Sequence, residues 1–306
     1  MQNIIIYYFS ATGNTLKIAK LFSKQFEQAG ASVTLSEIKP DSVPTDTDKY
    51  DLIGFAYPVH GFRTPEIVTD MAKKLPVTQS GTKVFAIKSS GEPLRLNDGS
   101  YLELKKIVEQ RGYSFFAEYH YVMPYNMVFR HTDGMARRML NTAEERIPAH
   151  AAEILKGTEN LVKVPLSAKI MSAICLIERP GMKLNGRFYH VNSKKCVNCM
   201  ACVKNCPVQN ISYENGKFKF GWSCIGCARC AFNCPKDAIT AGLLNVIKVN
   251  GRYNFNAEPD YNVPAYCHKS YIGYFDSDRY GIYKNGQEPE TVSEIGEKIP
   301  KNRLPI

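Results

Sequence analysis

Eight of the ten cysteines in the chain lie between residues 196 and 234, in two motifs of identical spacing. Each motif reads C-x2-C-x2-C-x3-C followed by proline, the first ending at Pro207 and the second at Pro235. The cysteines are Cys196, Cys199, Cys202 and Cys206 in the first motif and Cys224, Cys227, Cys230 and Cys234 in the second. The repeated spacing indicates an internal duplication in which thiolates bind two similar metal centres.

The spacing favours iron–sulfur cubanes over the other structural uses of cysteine. Thiolates at positions i, i+3 and i+6 of a tightly wound loop can bind three corners of one 4Fe-4S cluster, and the fourth ligand comes from elsewhere. Zinc sites usually join two C-x2-C pairs across a longer spacer, so three consecutive cysteines followed by C-P fit zinc poorly. A disulfide framework is weaker still, because a chain without a secretory signal is expected to stay in a reducing compartment.

Residues 191–241 resemble the bacterial two-cluster ferredoxins, including a hairpin signal at residues 214–216 between the two motifs. The resemblance implies one-electron transfer at low potential, with the cysteine before each proline binding the other cluster. It therefore implies that Cys196, Cys199, Cys202 and Cys234 bind one cubane, and that Cys224, Cys227, Cys230 and Cys206 bind the second. Cys175 and Cys267 have no partner spacing and are predicted to be buried structural thiols.

A second candidate site is the hydroxyl-rich stretch Ser10-Ala11-Thr12-Gly13-Asn14-Thr15, which contains no lysine. Backbone N–H groups at a helix N-terminus, aided by hydroxyls, can bind a phosphate without a formal positive charge. The G-x4-G-K-[ST] loop of nucleoside triphosphatases and the G-x-G-x-x-G dinucleotide fingerprint are both missing here. A Ser/Thr-rich turn can also be a plain helix cap, and this alternative stays open.

The elements that must position this stretch are predicted from alternating apolar runs and helical patterns over residues 1–156. Five strands are predicted, at about 3–9, 32–37, 51–57, 83–88 and 114–122. Helices are predicted over about 15–28, from near Ser100 to Gly112, and over about 135–156, where Pro148 should interrupt or kink the helix. This alternation is typical of a doubly wound α/β domain with a parallel sheet.

The pattern Ser-x-Thr-Gly-x-Thr between the first strand and helix resembles the phosphate loop of the flavodoxins, which bind FMN on a sheet of order 2-1-3-4-5. The resemblance implies a flavodoxin-like domain followed by a small α+β ferredoxin domain. It also implies that loops after strands three and four border the flavin, with Tyr57, and second Phe62 or His60, against the ring. The predicted FMN-binding residues are Ser10, Thr12, Gly13, Asn14, Thr15, Tyr57, Pro58, Val59, His60, Gly61, Phe62, Ser89, Ser90 and Gly91. Core packing is the alternative for Tyr57 and Phe62.

The chain departs from the flavodoxin pattern in two respects. Those proteins commonly cover the flavin ring with a tryptophan, but the only tryptophan here is Trp222, so one ring face is expected to be open toward the ferredoxin domain. Their flavin rim is usually acidic, whereas Arg63, Lys88 and Arg95 lie in or beside these loops. Cations there would favour the reduced anionic flavin; the alternative is that they are solvated surface charges.

Composition limits the remaining possibilities. A chain of 306 residues with 44% hydrophobic and 22% charged residues is typical of folded domains and excludes a disordered or multispanning protein. The net charge of +10 could suit nucleic acid or a membrane surface, but bound phosphate and anionic clusters would offset it, so nucleic acid is not predicted. No targeting signal begins the chain, which predicts a cytoplasmic location. The apolar stretch 170–177 is too short to span a bilayer and is predicted to be a buried or lid helix.

The predicted organisation is a flavodoxin-like FMN domain at 1–156, a connection at 157–190, a ferredoxin domain at 191–241 and a wrapping tail at 242–306. A flavin exchanges two electrons in single steps and a cubane passes one at a time. Joining them predicts a protein that passes electrons between FMN, two 4Fe-4S clusters and an external redox protein or small molecule, like the flavodoxin–ferredoxin fusions of anaerobic bacteria. The alternative is a flavin-dependent reductase of a quinone, nitro compound or metal ion, fed by its own clusters.

Overall fold

The computed structural model of the protein describes residues 1–44, 46–262, 271 and 273–275. Cys267 lies outside the described residues. The N-terminal part is a parallel sheet with strand order β2-β1-β3-β4-β5, so the predicted flavodoxin-like order is confirmed. Its strands are β1 (Asn3–Tyr8), β2 (Ser32–Glu37), β3 (Leu52–Pro58), β4 (Lys83–Ser90) and β5 (Ser114–Val122).

Helices cover both sides of this sheet and place the apolar residues of its two faces in the core. They are α1 (Asn14–Gln28), α2 (Glu66–Lys73), α3 (Leu102–Glu109) and α4 (Asp133–Lys156). Ile4 and Ile6 of β1 pack in one buried cluster, whereas Ile5 and Tyr7 pack in another on the opposite face. Strands buried on both faces read as continuous apolar runs, which is why the sequence pattern located them well.

Two helix predictions need correction. The helix expected from Ser100 begins as a 3-10 turn over Arg95–Tyr101, and only Leu102–Glu109 is α-helical. The α4 helix continues through Pro148, so the predicted interruption does not occur. Pro148 removes the amide that would bond to the carbonyl of Glu144, but both residues are exposed, so water can satisfy that carbonyl.

The connection between the two domains is helical and partly exposed. It consists of α5 (Leu166–Ile174), a 3-10 turn (Cys175–Ile177) and α6 (Glu178–Arg187). Ile170, Ile174 and Ile177 are all exposed and Ala168 is the buried residue of α5, so the buried alternative for 170–177 is wrong and the lid alternative stays a prediction. Cys175 is only partly buried, which also corrects its prediction as a buried thiol. Among the described helices, none is both long and apolar enough to cross a membrane.

The cysteine-rich part is a small α+β unit. Its elements are β6 (Tyr189–Val191), α7 (Ala201–Lys204), β7 (Ile211–Glu214), β8 (Lys217–Phe220), α8 (Arg229–Phe232) and β9 (Ile239–Ala241). Strand β6 pairs antiparallel with β9, and β7 with β8. The hairpin predicted at residues 214–216 is present, and Asn215 and Gly216 both have positive φ angles, of 51° and 74°. The duplication in sequence is thus a duplication in structure, since each cysteine motif contains one short helix, α7 or α8, and is followed by a strand, β7 or β9.

Candidate functional site

The hydroxyl-rich stretch forms the turn between β1 and α1, at the carboxyl end of the sheet. Gly13 precedes the helix with a φ of 99°, a left-handed conformation that glycine adopts without strain. The Leu16 amide donates to Ser10 Oγ at 3.1 Å. The first turn of α1 contains no acidic residue, so the helix N-terminus keeps its preference for an anion.

Side-chain hydrogen bonds join this turn to the neighbouring loops. Thr15 Oγ1 and Ser89 Oγ lie 2.8 Å apart, and Asn14 Nδ2 donates to the Pro124 carbonyl at 2.8 Å. The turn after β1, the end of β4 and the loop after β5 are therefore held together before any ligand binds. Such preorganisation lowers the entropy cost of binding.

These loops surround a cavity of about 390 Å³, within the range of small-molecule sites. Twelve of the fourteen predicted FMN-binding residues line it: Ser10, Thr12, Asn14, Thr15, Pro58, Val59, His60, Gly61, Phe62, Ser89, Ser90 and Gly91. Gly13 and Tyr57 are not among the lining residues. The wall also contains residues outside the predicted set: Glu92, Leu94, Asn97, the segment 123–128, Glu178, Met182, Gly226, Leu244 and Ile247.

Tyr57 does not border the cavity. Its side chain is fully buried and packs with Ile53 and Phe55 in the core. Strand β3 extends to Pro58, so Tyr57 still follows the strand's alternation and points to the same face as these two residues. Phe62 and Tyr125 are the aromatic side chains that line the cavity, and the Tyr125 ring lies directly over the backbone of Gly91.

A buried ion pair supports the loop after β4. Lys88 is completely buried at the end of β4, where its Nζ lies 2.9 Å from Glu118 Oε2 and donates to the Asn97 carbonyl at 3.0 Å. Asn97 Nδ2 in turn donates to the Glu92 carbonyl at 3.0 Å and to Ser90 Oγ at 3.2 Å. Lys88 thus fixes the loop through Asn97 from beneath, without reaching the cavity.

None of the three basic residues in or beside the predicted flavin loops forms a cationic rim at the cavity. Lys88 is buried, Arg63 pairs with Glu103 at 2.6 Å, and Arg95 is half exposed with Asp98 3.6 Å away. Among the described residues that line the cavity there is no lysine or arginine, and the only carboxylates are those of Glu92 and Glu178. The solvated-charge alternative holds for Arg95 alone.

The electrostatics of the cavity come from His60 and Glu178. Burial lowers the pKa of His60 to about 4, so its imidazole is neutral near pH 7 and can both donate and accept a hydrogen bond. Burial also raises the pKa of the Glu178 carboxyl, although Arg179 beside it opposes that rise. The Glu178 carboxylate sits against Gly61, at the place where a larger residue would put its Cβ. A bound phosphate would meet amides and hydroxyls here rather than cations.

The eight cysteines of the two motifs fall into two groups in space. The four cysteines predicted for the first cubane, Cys196, Cys199, Cys202 and Cys234, line one small cavity, and Cys230 also reaches it from the second group. In the second group, burial raises the pKa of the Cys230 thiol well above its usual range, and nearby thiols raise it further. Those thiols are Cys227, Cys224 and Cys206. This grouping is the one that crossed ligation requires, and ligation itself stays a prediction.

Backbone amides approach the sulfurs in both loops, as cluster ligands require. The amide of Asn210 donates to Cys206 Sγ at 3.2 Å, and the amide of Ala238 donates to Cys234 Sγ at 3.2 Å. Within the described residues, no group of three or more His, Cys, Asp or Glu is arranged to hold a metal ion. A cubane presents four separate irons, so its thiolates need not converge on one point as the ligands of a single ion do.

The loop that contains Cys224, Cys227 and Cys230 is packed directly against the turn from Ser10 to Thr15, which the sequence predicts to bind phosphate. Arg229, next to Cys230, donates from Nη2 to the Ser10 carbonyl at 2.6 Å and from Nε to the Ala11 carbonyl at 3.0 Å. Asn126 Nδ2 donates to the Cys227 carbonyl at 3.1 Å. Because Gly226 itself lines the cavity, one loop serves both sites.

Comparison with known proteins agrees with this two-part organisation. Residues 195–239 match the family described as a 4Fe-4S dicluster domain. A Streptococcus pneumoniae TIGR4 flavodoxin structure is similar over 50% of this chain and 97% of its own, at 16% identity and a TM-score of 0.38. The two-electron reduced flavodoxin of Megasphaera elsdenii covers 38% of this chain and 84% of its own, at 26% identity and a TM-score of 0.32. No curated protein matches the chain.

The sheet order and the dicluster match describe the two parts of the chain. A doubly wound domain of strand order 2-1-3-4-5, the order of the flavodoxin-like fold, precedes a domain that matches the 4Fe-4S dicluster family.

Proposed function

We propose that this protein passes single electrons between FMN, bound in the cavity at the carboxyl end of the sheet, and two 4Fe-4S clusters, and on to an external redox partner. A flavin can accept or release two electrons singly, whereas each cluster carries one at a time. The chain would therefore convert between two-electron and one-electron donors or acceptors.

The position of Gly226 is the observation that carries this proposal. It lies between Cys224 and Cys227, two predicted ligands of one cubane, and it lines the cavity together with the predicted FMN loops. A cluster held by this loop would lie beside the flavin with only a short protein path between them. That arrangement also supports the expectation that the uncovered face of the flavin is directed toward the ferredoxin domain.

The residues present fit FMN in their chemistry. The amides at the start of α1 and the hydroxyls of Ser10, Thr12 and Thr15 would hold the phosphate. The segment 58–62, the backbone of Ser89–Gly91 and the ring of Tyr125 would enclose the isoalloxazine ring. When bound, FMN would supply the centre that exchanges two electrons.

The two cysteine groups differ in their access to solvent, which supports an order of transfer. The group next to the cavity contains the buried Cys227, whereas the other group contains the exposed Cys199. Exposed Lys194 and Lys195 directly precede Cys196 of this exposed group, and their positive charge suits an acidic redox protein as partner. Electrons would pass between FMN and the Cys224 cluster first, and reach the partner through the Cys196 cluster.

The alternative, a flavin-dependent reductase of a small molecule, needs substrate access to the flavin. Here Met182, Gly226, Leu244 and Ile247 from beyond the flavodoxin-like domain close part of the cavity wall. This closure favours electron exchange through the clusters over entry of a substrate beside the ring.

Anaerobic redox titration tests the proposal, with flavin followed by visible absorption and clusters by low-temperature EPR. The purified protein is expected to hold FMN and to show two cubane signals that equilibrate with the flavin after partial reduction. Bound zinc in place of iron, or a cavity that takes up no FMN, would contradict it. Steady-state turnover of a quinone or nitro compound at the flavin, with electrons supplied through the clusters, would support the reductase instead.

Arg229 offers a test of how the two sites are joined. Replacing Arg229 with glutamine removes the charged donor of the Ser10 and Ala11 carbonyls, so the phosphate-binding turn loses its support from the cluster loop. A hydrogen bond to a charged group is worth about 1.5–3 kcal/mol, so FMN affinity is expected to fall by roughly tenfold or more. Quenching of FMN fluorescence by flavin-depleted protein measures the change.

The matched control is Arg252→Gln, in the same part of the chain. Arg252 is exposed and donates to Asn233 Oδ1 at 3.3 Å, with no contact to the phosphate-binding turn. Iron content and EPR should be unchanged in both variants. Equal FMN affinity in Arg229→Gln and the parent protein would show that the guanidinium does not support the turn.

A further inference from the structure

The connection between the two domains has an outward apolar face. Six large apolar side chains on it, each 49 to 74% exposed, are Leu166, Ile170, Ile174, Ile177, Leu184 and Phe188. Leu166, Ile170 and Ile174 lie at positions i, i+4 and i+8 of α5, so they share one side of that helix. Soluble domains rarely expose contiguous apolar surface of this kind, and where they do it usually marks a binding site.

The polar side chains of the same segment face the protein and hold it in this orientation. Arg179 Nη2 lies 2.7 Å from Glu103 Oε2, and Lys183 Nζ lies 3.0 Å from Glu66 Oε1. The buried Asn185 donates to the Ala241 carbonyl at 3.2 Å. Turning the apolar side inward would break all these contacts. A helix at an ordinary protein surface has the reverse arrangement, with its apolar side in the core.

The exposed charges beside this face are all positive. Lys163, Lys169 and Arg187 are exposed, and the only acidic residue from 163 to 188 is Glu178, whose carboxylate is turned in against Gly61. A second copy of the chain docking here by twofold symmetry would bring the same basic groups together, with no acidic group to pair with them. Apolar side chains flanked by lysine and arginine instead match the surface of a bilayer that contains anionic lipid.

We propose that the face formed by residues 166–188 docks this protein on an anionic membrane surface. Its apolar side chains would enter the boundary between headgroups and acyl chains, and its basic residues would pair with lipid phosphates. The segment also supplies Glu178 and Met182 to the cavity wall, so docking would hold the cavity next to the bilayer. This binding is peripheral and does not depend on the proposed electron transfer.

Flotation with phosphatidylcholine vesicles, with and without phosphatidylglycerol, tests the proposal on the full holoprotein. The protein is expected to float with the anionic vesicles only, and to be released by high salt. The double variant Ile170→Ser/Ile177→Ser should reduce this binding by roughly tenfold or more, since two apolar side chains no longer enter the lipid. The control is Val43→Ser/Val77→Ser, which changes two exposed valines elsewhere on the protein and should bind like the parent.

Each other outcome overturns the lipid assignment. Absence of flotation with anionic vesicles, or equal flotation of the parent and the Ile170→Ser/Ile177→Ser variant, would remove the face as a membrane site. A change from dimer to monomer in sedimentation velocity, without vesicle binding, would assign the face to a second copy of the chain. Flavin and iron contents measured on the same samples report separately on the proposed electron transfer.

Discussion

Replacing Cys224 with alanine is expected to disconnect the flavin from the cluster that lies farther from it. Cys224 belongs to the thiol group next to the cavity, and Gly186 of α6 packs directly against it. Without the near cluster, an electron must tunnel from FMN to the Cys196 cluster in one long step. Because tunnelling rates fall exponentially with distance, transfer should slow by well over an order of magnitude. Flash photoreduction followed at flavin and cluster wavelengths measures this rate.

The matched variant is Cys199→Ala, which removes a predicted ligand of the exposed cluster. It should leave exchange between FMN and the near cluster intact, while reduction of an external acceptor slows. EPR of the reduced proteins should show one cubane signal lost in each variant, and a different one. If Cys199→Ala slows the flavin step and Cys224→Ala does not, the order of the two clusters is the reverse of the one proposed.

The parts of the fold that sequence predicts well are those whose signal is local. The five strands are apolar runs buried on both faces, and each is found within a few residues of its predicted bounds. The turn from Ser10 to Thr15 is contiguous in the chain, so its place at the start of a helix could be predicted from one stretch. The cysteine motifs are equally compact.

The errors come from side-chain direction, which depends on where each strand ends. Strand β3 runs to Pro58 and so keeps Tyr57 on a buried face, where the loop position alone suggested a ring contact. Strand β4 runs to Ser90, two residues past its predicted end. Lys88 is therefore an interior strand residue that faces the core, and not the last residue before the loop. One or two residues of strand length decided both roles.

The missed residues of the cavity come from how the domains pack. Glu178, Met182, Gly226 and Ile247 lie far from the flavodoxin-like loops in the chain and meet them only through tertiary contacts. Gly226 lies inside the second cysteine motif, but no periodicity or motif marks it, or the other three, as part of this cavity. Arg229 was equally hidden, since a single arginine beside a cysteine is ordinary and its role appears only in its bonds to Ser10 and Ala11.

The largest expected loss of stability follows from Lys88→Met. Methionine leaves the Glu118 carboxylate buried without its cation, in a sheet where the two side chains are 0% and 2% exposed. Breaking a buried pair from one side costs about 3–5 kcal/mol, mostly the free energy of an uncompensated buried charge. Hydrogen exchange of the β4 and β5 amides measures this free energy locally, which avoids assuming two-state unfolding of the whole chain.

Two comparisons separate the buried charge from the loss of a lysine side chain. Lys105→Met breaks the more exposed pair of Lys105 with Glu109 at 2.6 Å, and should cost no more than about 1 kcal/mol. Lys88→Met/Glu118→Leu removes both charges and should recover most of the lost stability. Lys88 also donates a hydrogen bond to the Asn97 carbonyl, which the double variant does not restore. The loop after β4 should therefore stay less firmly held, and the double variant should bind FMN less tightly than the parent. Stability that stays low in the double variant would mean that packing, and not the buried charge, accounts for the loss.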